Sequence, residues 1–240
     1  RDGLVTGVQT CALPIWTLAS VGGTMGACEE ALAKGWGGNL AGGTHHAFRG
    51  EGSGFCVLND MAVAIEWLRA TGRIRRAAVV DCDVHQGDGT AAIFENEPEV
   101  FTLSLHGERN FPFRKQRSRL DVALADGTGD EEYLRALGEV LEEAFAFGPE
   151  IVFFQAGVDG LASDTLGRLS LTMEGLAARD RMVLGAARAA GVPVVIVLGG
   201  GYAKPVDDTA DAHAQTFRTA AAVYSGEESS IALKTSLSVR

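Results

Sequence analysis

The chain has few cysteines and no long apolar run. Free thiols in a reducing cytoplasm are the simplest interpretation, because no C-x-x-C pair occurs. No apolar stretch approaches the ~18 residues of a membrane span, and no basic start leads into an apolar stretch and a cleavage site. We therefore expect a cytoplasmic protein. The cysteines are Cys11, Cys28, Cys56 and Cys82.

Positive charge is also scarce. The chain has 21 Lys and Arg against 31 Asp and Glu, which gives a net charge of −10. A general nucleic-acid binder needs a positive footprint, and attachment to an anionic membrane needs one as well. The one basic stretch, at 109–119, is better explained as a solvated loop than as a nucleic-acid contact. We expect neither nucleic acid nor membrane as a direct partner, and the sequence indicates no oligomeric state.

The two ends of the chain differ from its middle. The first fifteen residues, RDGLVTGVQTCALPI, join no later pattern and resemble a translated sequencing adaptor. We interpret residues 1–15 as non-native, the alternative being an ordinary N-terminal strand at GLVTGV. Residues 16–226 then form one domain, large enough to bury ~three quarters of its unfolded surface without disulfides. Residues 227–240 are expected to form a loose polar tail.

Four short apolar runs predict buried strands. They are rich in Val, Ile and Phe and do not alternate with polar residues, which indicates a sheet covered on both faces. The runs are RRAAVVD (75–81), EVFTLSLH (99–106), PEIVFFQAG (149–157) and VPVVIVLGGG (192–201).

Helical patterns fill the intervals between these strands. Alternation of strands and helices is typical of βαβ units and predicts a parallel sheet. The helices are indicated by the apolar spacing of Leu58, Met61, Ile65 and Leu68, by the capping-box spacing of Thr128 and Glu131, and by segments 173–190 and 207–224.

Each predicted strand ends in polar residues. In open α/β sheets, ligands bind beyond the carboxyl ends of the strands. Four such endings on one rim favour a binding site over a solvated loop. The residues are Asp81, Asp83 and His85 after the first strand, Ser104 and His106 at the second, Asp159 after the third and Tyr202 after the fourth.

Three of these residues form a candidate metal site. Asp83 and His85 are two positions apart, and Asp159 comes from another strand. An Asp/His/Asp set leaves a coordination position open for water, as catalytic zinc sites do. Carboxylate oxygens and imidazole nitrogens also hold Fe²⁺.

A histidine pair in GGTHHAF is a candidate acid/base pair. His45 and His46 are adjacent, and the alternative interpretation is a surface pair. Carboxylates behind the imidazoles would fix their tautomers, and we assign Asp81 to His45 and Asp88 to His46. Tyr202, after three glycines, could donate to a polarised carbonyl oxygen or could be an ordinary half-buried tyrosine.

Together these motifs resemble the histone deacetylase family of zinc amidohydrolases, which has the arginase/deacetylase fold. The resemblance covers about Leu18 to Tyr224 and implies a three-layer α/β/α fold with a mainly parallel central sheet. NFPFRKQRS and LGRLSLT look most like the class IV branch and its bacterial relatives. The matching motifs are GGTHHA (42–47), GFCVLND (54–60), DCDVHQGDGT (81–90), LSLH (103–106), AGVDG (156–160) and LGGGY (198–202).

The resemblance implies a metal-dependent deacetylase that hydrolyses the amide of acetyl-lysine or a related acyl-lysine in proteins. Zn²⁺ is the implied ion, with Fe²⁺ possible. His46 is implied as the proton carrier, and His45 as a positive charge held by Asp81. Asp83, His85 and Asp159 match the family's metal ligands, and Tyr202 matches its carbonyl-polarising tyrosine. Gly54, Phe55 and Phe111 match the acyl-lysine tunnel. Asp81, Ser104 and Leu105, with main-chain oxygens of Asp83 and His85, match a structural K⁺ site.

Other enzymes and a binding module share parts of this pattern. Arginase-like enzymes hold two metals, but Gly87 and Leu161 stand where the second set of carboxylates is needed, so we expect one. A deacylase of acetylpolyamines or other small acylamines would use the same catalytic residues. The hypothesis of a catalytically silent binding module is weakened because no catalytic position is substituted.

The family's N-terminal segment is displaced by residues 1–15, so we expect an exposed sheet edge or apolar face there.

Overall fold

Six helices and six strands make up the part of the chain that the structure describes. This computed structural model describes residues 7–225, with side chains from residue 14 onward. The predicted tail at 227–240 and the first six residues lie outside it. The elements are α1 (Gly7–Lys34), β1 (Trp36–Asn39), α2 (Asp60–Ala70), β2 (Ala77–Asp81), α3 (Asp88–Phe94), β3 (Val100–Gly107), β4 (Leu120–Leu124), α4 (Asp130–Ala146), β5 (Ile151–Gln155), α5 (Met173–Ala190), β6 (Val194–Val197) and α6 (Val206–Ser225).

The strands form one parallel sheet in the order β1-β6-β5-β2-β3-β4. Ala77 and Val79 pack into an apolar cluster with α1 and α2, whereas Ala78 and Val80 pack into a second cluster with α4, α5 and α6. Successive side chains of a strand point to opposite faces, so an all-apolar strand needs cover on both sides. The predicted three-layer α/β/α architecture with a parallel central sheet is confirmed.

The sequence predicted the four inner strands and missed the two at the edges. The predicted strands correspond to β2, β3, β5 and β6, with shorter ends. Strand β1 has two glycines among its four residues, so it shows no apolar run. Strand β4 alternates between partly buried and exposed positions, which is typical of a strand exposed on one face and differs from the continuous pattern of the inner strands.

Two helix starts differ from the sequence prediction. Leu58 lies before α2 and is 39% exposed, because Asn59 caps the helix by accepting a hydrogen bond from the Ala62 amide at 3.0 Å. Thr128 does not cap α4. The cap position is Gly129, and three acidic side chains in the first turn stabilise the helix N-terminus instead.

Helix α1 includes residues for which the sequence indicated no element. It begins at Gly7 and continues through Pro14. Ile15, Trp16 and Leu18 are 66%, 72% and 63% exposed, and apolar side chains also occupy the buried face. Apolar residues on both faces hide the helical period, which explains the missed helix. Neither α1 nor any other helix in the described part of the chain combines the length and hydropathy of a membrane span.

Thr172 should stabilise the protein as the cap of α5. Its hydroxyl accepts from the Gly175 amide at 3.0 Å and donates to Asp130 at 2.6 Å. Replacing a capping hydroxyl by Ala costs ~1 kcal/mol, so Thr172→Ala should unfold at lower urea concentration, and Thr172→Ser should stay close to the original protein. Equal unfolding midpoints for the Ala variant and the original would contradict this role.

Candidate metal centre and pocket

The structure brings the three predicted metal ligands together. Asp83 and His85 follow β2, and Asp159 follows β5. These two strands pair in parallel with Asp81 beside Gln155, so the segments that leave them run side by side. One ligand atom from each of the three side chains lies within 4.8 Å of the others. It is the one such cluster of His, Cys, Asp or Glu within the described residues.

The charges of this cluster fit a divalent cation. Asp83 and Asp159 are buried, and His85 Nδ1 lies 3.1 and 2.9 Å from their carboxylate oxygens. Burial would lower the pKa of His85, but the two carboxylates raise it to about 10. Burial and the charge of Asp83 raise the pKa of Asp159 to about 7. Two buried carboxylates repel each other, so a cation among these three groups would relieve a real electrostatic cost.

Backbone amides fix the orientation of both carboxylates. The Val84 amide donates to Asp159 Oδ1 at 2.9 Å, and the Gly200 amide donates to Asp83 Oδ2 at 2.8 Å. The His85 amide donates to Asp83 Oδ1 at 2.9 Å. Hydrogen bonds to a charged acceptor are stronger than neutral ones, so each carboxylate is held toward the centre before an ion arrives.

The two histidines meet the carboxylates that the sequence assigned to them. His45 Nδ1 lies 2.8 Å from Asp81 Oδ2, and His46 Nδ1 lies 2.6 Å from Asp88 Oδ1. The two rings are 4.1 Å apart between centroids. Contact of Nδ1 with a carboxylate places the proton there. The Nε2 atom of His45 lies 3.9 Å from Asp83, on the side of the metal centre.

The two histidines differ in their electrostatic surroundings. Burial would lower the pKa of His45, but Asp81, Asp83 and Asp159 raise it to about 9. Burial and the neighbouring His45 lower the pKa of His46. In the metal-free chain His45 is therefore the histidine that favours the doubly protonated form, and His46 is the one that favours the neutral form and can accept a proton.

Asp60 positions the loop that carries both histidines, and sequence reasoning missed it. It is fully buried and accepts hydrogen bonds from the amides of Gly43 and Thr44 at 3.0 and 2.7 Å, and from the Thr44 hydroxyl at 2.6 Å. The Thr24 hydroxyl donates to it at 2.5 Å. Asp60 was visible only as the last letter of GFCVLND, and no sequence pattern joined it to residues sixteen positions earlier.

A pocket of about 1030 Å³ opens above the centre. It is lined by the metal cluster and both histidines, together with the residues that the sequence placed in the substrate tunnel. The Phe111 ring stands edge-on to His46 at 5.0 Å, Phe55 is 95% exposed and Tyr202 is 46% exposed. A Cβ on Gly54 would lie 2.4 Å from the His46 ring, so only glycine fits there. Apolar walls over a few polar groups are typical of a small-ligand site.

The residues predicted for a monovalent cation lie at the ends of adjacent strands. Asp81 on β2 lies beside Ser104 on β3, and Leu105 is fully buried next to it. The Ser104 hydroxyl contacts His106 Nδ1 at 3.0 Å. The positions are thus close together, and potassium binding stays a prediction.

Comparison with known proteins gives the family. The model of the histone deacetylase domain matches residues 9–219. The chain belongs to the histone deacetylase family. It is 50% identical over 209 residues to the uncharacterized protein SYNPCC7002_A1628 of Picosynechococcus. The aligned region covers 87% of this chain and 70% of that protein. Histone deacetylase 2 of Arabidopsis thaliana is 37% identical over 77% of the chain and 49% of its own length.

A bacterial relative adds to the family assignment. The histone deacetylase-like amidohydrolase of Pseudomonas aeruginosa is 35% identical over 67% of this chain. The match spans about half the length of each of these two relatives: 46% of the Pseudomonas protein and 49% of the Arabidopsis protein. The predicted histone deacetylase resemblance is confirmed, whereas kinship with the class IV branch stays a prediction.

The pKa of His45 should depend on Asp81. In metal-free protein, NMR titration of the imidazoles should place the His45 pKa at about 9 and above that of His46. Asp81→Asn removes an adjacent negative charge, which favours the neutral ring and should lower the His45 pKa by ~1–3 pH units. Asp88→Asn is the matched control, since Asp88 contacts His46 instead. An unchanged His45 pKa in Asp81→Asn would refute the pairing.

Proposed function

We propose that the chain is a metal-dependent deacylase that hydrolyses the amide of acetyl-lysine or a related acyl-lysine in proteins. The supporting observation is the convergence of a three-ligand metal cluster, two carboxylate-backed histidines and a tyrosine in one pocket. Each group comes from a different segment, and a binding module would not need all of them. The names of the deacetylase relatives support the same reaction class.

Asp83, His85 and Asp159 would hold the ion, with Zn²⁺ favoured and Fe²⁺ as the alternative. A bound ion of this kind would supply a Lewis acid that polarises a carbonyl and lowers the pKa of water to about 7. Because the three side chains lie at the pocket floor, the scissile amide must enter past Phe55 and Phe111. A lysine side chain is long and unbranched, which suits such a passage.

His46 accepts the proton of the attacking water and delivers a proton to the leaving amine. Its lowered pKa keeps the ring neutral at pH 7 and able to accept a proton. His45, held by Asp81, supplies positive charge near the reacting carbonyl; in the metal-free chain, Asp81, Asp83 and Asp159 raise its pKa to about 9. Since the reaction needs neutral His46, the rate should rise as pH increases through the pKa of His46.

A small acylamine is the alternative substrate. Acetylpolyamines would use the same floor residues, and only contacts at the pocket opening would separate them from acyl-lysine peptides. The non-native origin of residues 1–15, the structural K⁺ ion, the cytoplasmic location and the absence of a nucleic-acid partner stay predictions that accompany this proposal.

A substrate panel tests the proposal directly. The purified chain, loaded with Zn²⁺, is assayed with acetyl-lysine peptides, longer acyl-lysine peptides and N-acetylpolyamines, with Asp159→Ala as the inactive control. We expect the acyl-lysine peptides to be hydrolysed faster than the polyamines. Preference for the polyamines would select the alternative, and no hydrolysis of any substrate by loaded, folded protein would contradict both.

Tyr202 should contribute to rate and not to metal binding. Its hydroxyl is proposed to donate to the carbonyl oxygen as negative charge develops there. Loss of one such donor costs ~10²–10³-fold in kcat, so Tyr202→Phe should lose that much while its metal content stays unchanged. Near-normal turnover of this variant would show that the role belongs to another group.

The two histidines should respond differently to replacement. His46→Ala should lose ~10²–10⁴-fold in kcat, the usual contribution of a proton-transfer group. His45→Ala removes a positive charge and not the proton carrier, so its rate should keep a rising dependence on pH that His46→Ala loses. Steady-state assays across pH 5–9 measure both, and a His46→Ala enzyme with most of its activity would reverse the assignment.

A further inference from the structure

Arg179 is a fully buried cation close to the metal centre. It lies on α5 and is 0% exposed. Its Nε and Nη2 atoms lie 2.9 and 2.8 Å from Asp180 Oδ1, and Asp180 Oδ2 accepts from the Thr216 hydroxyl at 2.7 Å. A buried charge is costly unless it is paired, and Asp180 supplies that pair. This pairing leaves other guanidinium hydrogens to act elsewhere.

Those hydrogens reach both segments that carry metal ligands. Arg179 Nη1 donates to the carbonyl oxygen of Gly157 at 2.5 Å and makes a longer contact, 3.5 Å, with that of Cys82. Cys82 directly precedes Asp83, and Gly157 lies two residues before Asp159. One rigid guanidinium therefore connects the segment after β2 with the segment after β5.

The contact with Gly157 bears directly on a ligand. A Cβ at Gly157 would lie 2.3 Å from Asp83 Oδ2, so the Gly157 backbone packs against that carboxylate. If Gly157 moved, the carboxylate would lose its support on that side. Arginine suits this position because its planar fork offers several donors in fixed directions, whereas lysine offers a compact charge on a flexible stem.

We infer that Arg179 is a positioning residue of the metal centre. It holds the Gly157 and Cys82 carbonyl groups so that Asp83 and Asp159 present their ligand atoms at the separation that one ion needs. The inference rests on the proposed metal site but assigns a role outside the ligands. A residue that only filled the core would change stability without changing the coordination of the ion.

The test compares two variants of Arg179 with a matched control. Arg179→Met removes the charge and the donors at similar volume, and Arg179→Lys keeps the charge. Arg188→Met is the control, because Arg188 lies on the same helix and over an aromatic ring at 5.7 Å, as Arg179 does at 5.6 Å. Circular dichroism and thermal melting check folding. Zn²⁺ affinity is measured by chelator competition, and the visible spectrum of Co²⁺-loaded protein reports ligand geometry.

We expect Arg179→Met to bind Zn²⁺ ~10–100-fold more weakly, the usual loss when a group behind a ligand is removed, with an altered Co²⁺ spectrum. Arg179→Lys should fall between it and the original, and Arg188→Met should match the original. If Arg179→Met does not fold, the Zn²⁺ affinity and the Co²⁺ spectrum of Arg179→Lys test the positioning role instead. Folded Arg179 variants with the original affinity and spectrum, or loss of folding in both, would overturn the positioning role. An original chain that binds no metal would instead contradict the proposed function.

Discussion

Two buried carboxylates, Asp83 and Asp159, face the same imidazole, and their mutual repulsion is the constraint on which the site depends. Burial raises the pKa of Asp159 to about 7, although His85 lies 2.9 Å away. Backbone amides, the protonated His45 and the proposed cation all act against this repulsion. These two carboxylates, together with Asp81, also raise the pKa of His45, whereas burial and the neighbouring His45 lower the pKa of His46.

The inner part of the fold could be predicted from sequence because its signal is local. Strands such as β6 are apolar at every position, and a parallel sheet with both faces covered is the arrangement that such strands require. The edge strand β1, with its two glycines, and helix α1, with exposed Ile15 and Trp16, carry no periodic signal. Tertiary contacts stabilise these elements, and no window of sequence contains those contacts.

The same distinction applies to the site. The metal ligands could be predicted because they follow strand ends, and the two histidines because they lie in a short, specific motif. Asp60 and Arg179 could not, because each acts on backbone groups of segments distant in sequence: Asp60 on the loop before His45, Arg179 on the Gly157 carbonyl. A buried Asp or Arg has no composition signal, and only the folded structure shows which backbone groups each one contacts.

Metal stoichiometry tests the central claim most directly. Elemental analysis of the purified chain after loading with Zn²⁺ and removal of weakly bound ions should give one ion per chain. Asp159→Ala should lose that ion, whereas Asp126→Ala, a carboxylate that pairs with Arg168 at 3.2 Å, should keep it. Two tightly bound ions per chain, or an unchanged metal content in Asp159→Ala, would contradict the account.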